Sequence, residues 1–193
     1  MFKNVWLTVL MLALQTIGCA QAANQVGVYY GFTDSELLRK EMLIGAAGYE
    51  NQESREFGIH YVRQLNRWLG VETGVNFFLA TVKITPAFTG IPIDPRYENL
   101  RLISIPLMAR FTYGRYFSLN AGPIFDIQDK EGSYDRQSGV GYMISLGAQY
   151  QWKHWLVFAR PNFKRHAVIT SERVSYPQKL TEFGVQFGLG IIF

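Results

Sequence analysis

The segment that most constrains this chain is 181–193, TEFGVQFGLGIIF. Every second residue from Phe183 through Val185, Phe187, Leu189 and Ile191 to Phe193 is apolar. Between them stand Glu182, Gly184, Gln186, Gly188 and Gly190, small or polar, with Ile192 the exception. Successive side chains of a strand point to opposite faces, so this segment has one greasy face and one small, wet face. A strand in a soluble sandwich alternates in the same way. Ending on its most hydrophobic residue better suits a strand whose outer face meets lipid, in a barrel closed by its last strand.

The same alternation recurs upstream at 26–32, 56–65, 69–83, 100–113, 117–127, 140–152 and 155–165, which with 181–193 makes eight candidate strands. The connections alternate strictly between long and tight. The long ones are 33–53, 85–97, 129–138 and 166–180, and the tight ones are 66–68, 114–116 and 153–154. Short turns at one end and long loops at the other are the pattern of outer-membrane barrels, with the turns in the periplasm. Trp68, Tyr113, Tyr116, Trp152 and Trp155 flank the turns, beside Arg67, Arg115, Lys153 and His154. Such residues favour the water–lipid interface. The expected fold is therefore all-β, an eight-stranded antiparallel up-and-down transmembrane β-barrel. A soluble lipocalin-type barrel is the alternative, and there the apolar rows would point inward.

Residues 1–22 read as a secretory signal, with Lys3, an apolar run from Val5 to Leu14, and Ala20-Gln21-Ala22 as the cleavage site. The barrel domain then covers 23–193. A lipoprotein signal at Cys19 is the competing reading. Cleavage after Ala22 leaves no cysteine, and so neither a disulfide nor a thiolate site. Beyond the signal no run is long and apolar enough for a membrane-spanning helix. Mean hydropathy is zero, the average expected of strands that alternate greasy and wet. The net charge of +4 is spread without a basic stripe, so nucleic acid is not an expected partner.

With the apolar rows outside, the lumen receives Glu72, Asp126 and Glu182 against Arg110, Arg160 and Lys164, joined by His60, Asn76, Asn120, Gln149, Asn162 and Gln186. Eight strands enclose just enough room for side chains, and buried charges must pair. A charge-paired plug is expected, with a narrow pore as the alternative. Among the histidines, His154 falls in a turn and His60 inside a strand. His166 is expected in a loop near the outer rim, followed by Thr170, Ser171 and Glu172. A nucleophile needs a base within reach and a group that orients the base. That loop is the one place for an outer-leaflet lipid A-modifying enzyme, but it lacks the close His-x-Ser spacing of the lipid A deacylases. No catalytic, metal or cofactor-binding residue is assigned, no cofactor is expected, and the chain is not expected to be an enzyme.

The alternating last strand with its terminal Phe193 resembles the signal that bacterial outer-membrane proteins present for barrel assembly. Ile105-Pro106-Leu107, a tight turn, and Ala121-Gly122-Pro123-Ile124-Phe125 resemble the PorT-like outer-membrane β-barrel family common in Bacteroidetes. Ser104 stands where its members often carry an acidic residue. The resemblance implies a bacterial outer-membrane location and offers no catalytic residues. The expected role is a scaffold or interaction protein, linked to adhesion or secretion, working through its extracellular loops. Its expected partners are outer-membrane lipids, the barrel assembly machinery during biogenesis, and a protein at the loops. The expected state is a monomer.

Overall fold

In the computed structural model, residues 24–39, 48–85, 94–128, 137–170 and 178–193 are described. The expected signal segment with Cys19 and its cleavage site lies outside them, as do 40–47, 86–93, 129–136 and 171–177 of the long connections. The alternating segments form β1 (Asn24–Arg39), β2 (Gly48–Gln64), β3 (Leu69–Thr85), β4 (Arg96–Tyr113), β5 (Phe117–Gln128), β6 (Gly139–Trp152), β7 (Trp155–Thr170) and β8 (Gln178–Ile192). Each pairs antiparallel with its neighbour, and β1 pairs with β8 to close the ring. At the seam Asn24 N–H donates to Phe193 O at 2.8 Å and Phe193 N–H donates to Asn24 O at 2.9 Å.

The tight turns keep the strands in phase. Trp152 faces Trp155 across a two-residue turn in which Lys153 takes the left-handed φ of 55° that such a turn requires. Tyr113 faces Phe117 across three residues, with Gly114 at φ 63°. At the third turn Leu65 N–H donates to Leu69 O at 2.9 Å. The loop-end segments are more extended than the sequence pattern indicated: β1 runs on to Arg39, β2 starts at Gly48 and β7 reaches Thr170.

The apolar rows look out. Ile105, Leu146 and Phe187 are 39%, 61% and 53% exposed, so the lipocalin-type alternative, which needs them inside, is excluded. Near the loop end the pattern inverts. On β3 the outward residues Val71, Val75, Phe77 and Leu79 give way to Thr81, Lys83 and Thr85. The inward residues change from Gly70, Glu72, Gly74 and Asn76 to Phe78, Ala80, Val82 and Ile84. The outer face switches at Phe57/Arg55 on β2, Ile103/Arg101 on β4 and Phe183/Thr181 on β8. From Leu69 to Leu79 the climb is about 25 Å at roughly 3.3 Å per residue and a tilt of about 40°, which matches the lipid-facing band of such barrels. Past that height the outer face meets water, and the wall needs a dry interior of its own. Phe78, Ala80, Val82, Ile84, Leu100, Leu102 and Leu180 supply it as one buried cluster. The expectation of a lumen filled throughout by glycine, amide and charge is corrected by this apolar cap.

The ladders skip where proline stands. The β3–β4 register passes from Asn76↔Ser104 to Thr73↔Leu107 around Pro106. The β4–β5 register passes from Pro106↔Ile124 to Ala109↔Ala121 around Pro123, and the β6–β7 register skips between Ser145↔Asn162 and Ala148↔Ala159, around Pro161. Proline has no N–H to donate, so the neighbouring strand finds no partner there.

Candidate functional site

Inside the wall the charges gather in two groups. Toward the turn end, Glu72 lies between two guanidinium groups: Arg110 Nη1 reaches its Oε2 at 3.2 Å, and Arg160 Nη1 binds its Oε1. Arg110 also donates to Gln149, and Arg160 lies over the Phe158 ring at 5.0 Å. His60 packs beside them between two rings, 6.0 Å from Tyr29 and 4.9 Å from Phe158. Room for these side chains comes from glycines opposite: a Cβ at Gly27 would stand 2.7 Å from His60 Nε2, and one at Gly188 2.3 Å from Phe158 Cζ.

The second group crosses the barrel as a chain. Asn76 Nδ2 donates to Glu56 Oε2 at 2.8 Å, and Gln186 Nε2 donates to Glu56 Oε1 at 3.1 Å. Lys164 pairs with Glu56 and, at 3.0 Å, with Glu182. His166 follows, its Nε2 3.0 Å from Glu182 Oε1 and its Nδ1 3.0 Å from Asp126 Oδ2. Ser104 Oγ ends the chain, donating to Asp126 Oδ1 at 2.7 Å.

Two residues differ from the sequence reading. His166 is not at the outer rim but fully buried in β7, between two carboxylates. His166 points inward, and Ser171 and Glu172, which the alternative enzyme reading placed beside it, lie outside the described residues. Glu56, absent from the expected lumen set, is fully buried and holds three side chains. The reason for the first is that β7 runs on past Arg165, so His166 continues the inward row of Arg160, Asn162 and Lys164; a bulge follows directly. Between Val140↔Ile169 and Tyr142↔Arg165 the β7 side carries two extra residues, and Ala167 there has φ 46°. Bulges re-aim side chains, and here Ala167, next in the chain, is buried directly after His166. Gly141 faces the bulge so closely that a Cβ would lie 2.3 Å from Arg165 O.

Glu56, Glu72, Asp126 and Glu182 face Arg110, Arg160 and Lys164, and each ring nitrogen of His166 stands 3.0 Å from a carboxylate oxygen. Among the described residues no set of His, Cys, Asp and Glu is placed to hold a metal ion.

An apolar band around a closed ring, a wall of paired charges within and short turns at one end make a membrane-spanning barrel. The fold is that of the small bacterial outer-membrane proteins. The structure is similar to the outer membrane protein OprG from Pseudomonas aeruginosa, with a TM-score of 0.60, 12% identity, and coverage of 92% of this chain and 98% of that one. It is also similar to the outer membrane protein AlkL, determined in lipid bilayers, with a TM-score of 0.58, 13% identity, and coverage of 91% and 92%. Ail, the attachment invasion locus protein of Yersinia pestis, gives a TM-score of 0.50 at 11% identity over 90% of this chain and all of that one. At such identities the likeness is one of fold. No protein family and no curated protein sequence matches the chain.

Proposed function

We propose that this barrel is a monomeric, non-catalytic scaffold of the outer membrane that presents its loop end to a protein partner. The observation that carries this reading is the filled interior. Paired charges occupy its middle, and the apolar cluster of β3, β4 and β8 packs above them toward the loops. A barrel filled in this way leaves recognition to the rim and loops, which the rigid strands hold in place. Adhesion is one partner class in keeping with this fold, since Ail is named for attachment and invasion. A secretion-linked role is the other, through the resemblance to PorT-like proteins. The two motifs behind that resemblance lie side by side, with Ile105↔Phe125 and Pro106↔Ile124 in register.

Photo-crosslinkers placed at Asp94 and Tyr97, both exposed at the loop end, test the proposal in cells. The expected result is a discrete protein adduct from these positions and none from Lys153 at the turn end. Adducts to lipid alone would overturn it. Planar-bilayer recording is expected to show no conductance, and lipid A mass spectra are expected to be the same with the wild type, with His166→Ala and without the gene.

A further inference from the structure

A cleft of about 230 Å³ opens on the outer surface of β2, β3 and β4, lined by Glu53, Arg55, Leu79, Thr81, Asn99 and Arg101. Its place in the wall follows from the register. Arg55 pairs with Leu79 and Leu79 with Arg101, so two guanidinium groups flank one leucine in a single outward row. Thr81 and Asn99 are paired in the next outward row, toward the loops. Neighbouring strands lie about 4.8 Å apart, which sets the two arginine backbones about 10 Å from each other. That gap admits one phosphate held by a planar fork from each side, the geometry in which arginine binds oxyanions best.

The row also has a definite height. It is the one where the outer face changes from apolar to polar, at the outer edge of the lipid band. Below it Phe57 and Phe77 stack at 5.2 Å, with Ile103 alongside in register with Phe77. A ligand seated here has a phosphate above and hydrocarbon below. Glu53 sits beside Arg55, Oε2 to Nη2 3.1 Å, but their side chains are 75% and 55% exposed. Such a pair is screened and holds the arginine weakly, and with Arg101 the lining keeps a net positive charge. On β1 the residues beyond the switch from Phe32 are instead Asp34 and Glu36, so a cationic belt does not run evenly around the barrel.

We infer that the Arg55–Leu79–Arg101 cleft binds the phosphate group of an outer-leaflet lipid. The site would anchor that lipid to one side of the barrel, independently of any protein bound at the loops.

The test uses the full barrel in nanodiscs of phosphatidylcholine with a minor fraction of phosphatidic acid, whose retained lipids are read by native mass spectrometry. The wild type is expected to retain phosphatidic acid over phosphatidylcholine. The double variant Arg55→Gln, Arg101→Gln is expected to lower that preference roughly thirtyfold, at about tenfold per 1.4 kcal/mol and about 1 kcal/mol per surface cation. Arg115→Gln with Lys153→Gln, which removes the same charge at the turn end, is expected to leave it unchanged. Equal retention by the wild type and the first double variant overturns the inference, as does an equal loss in the second. Titration of the wild type in pure phosphatidylcholine discs with inorganic phosphate separates the sources. Binding as tight as that of the lipid would make the site one for soluble phosphate and overturn the lipid assignment. The gel mobility of unboiled samples confirms that each variant is folded.

Discussion

Glu72 shows how much one lumen residue can carry. Its two oxygens are the ion-pair partners of both Arg110 and Arg160, and all three side chains are at most 3% exposed. Taking one member from such a group leaves charge buried without compensation, at a cost of about 3–5 kcal/mol. Glu72→Gln is therefore expected to lower the unfolding free energy, read by urea titration in lipid vesicles, by that amount, while Glu53→Gln on the exposed rim changes it little. His166 makes the opposite case, one imidazole between two carboxylates. His166→Leu is expected to destabilise the barrel, and Asp126→Asn in the same chain to restore part of the loss; a coupling of at least ~1 kcal/mol in a double-mutant cycle is the measurement. Most of the lumen set could be read from alternation alone, because Glu72, Arg110, Asp126, Arg160, Lys164 and Glu182 all keep the inward phase of their strands. Glu56 keeps it too, at two residues before Gly58, but it opens its expected strand and was readable only by extending the period. His166 likewise lies one residue past its expected strand and is reached only by extending the period. It keeps the phase set by Lys164, but Ala167 breaks the rhythm immediately after it, and a sequence carries no mark of a bulge.

At the scale of the strand, the β5 backbone beside Pro123, which removes a donor, lies hard against β4. Gly122 is the residue that permits this: a Cβ there would lie 2.2 Å from Leu107 O and 2.8 Å from Met108 Cα. Both are backbone atoms, so the sheet must move. Gly122→Ala is expected to cost about 1–3 kcal/mol, seen as a lower denaturation midpoint, whereas Gly114→Ala, at a turn with open space around it, costs only the strain of its positive φ. The tight turns were legible because their aromatic neighbours and two- or three-residue spacing leave one phase for the strands. The long ends were not. Beyond Phe32 and before Glu56 the outer face turns polar and the greasy/wet alternation that marks a lipid-facing strand fades, although the backbone ladder continues through Asp34↔Phe183 to Arg39↔Gln178. The apolar cap was missed for the same reason. Phe78 to Ile84 looks like an irregular run when one face is assumed to be greasy throughout, and becomes regular once the two faces exchange roles at the membrane edge.

For the molecule as a whole, the direction of the apolar rows decides everything else. Leu146 is 61% exposed and sits six residues from Trp152 at the turn end, near the middle of the band. Leu146→Arg is expected to destabilise the folded barrel in vesicles by about 2–4 kcal/mol, and the same change at Ile169, near the loop end, by no more than about 1 kcal/mol. Recovery of the wild type in a detergent-free soluble fraction would contradict this picture. The seam adds a final consequence. The first and last described residues exchange two hydrogen bonds, so the ring is sealed by partners that lie at opposite ends of the barrel sequence. Until both arrive, the sheet has two bare edges and the lumen charges are open to solvent on one flank. A chain cut before β8 therefore leaves β1 and β7 without neighbours, and truncation of that strand is expected to abolish closure rather than to trim one edge.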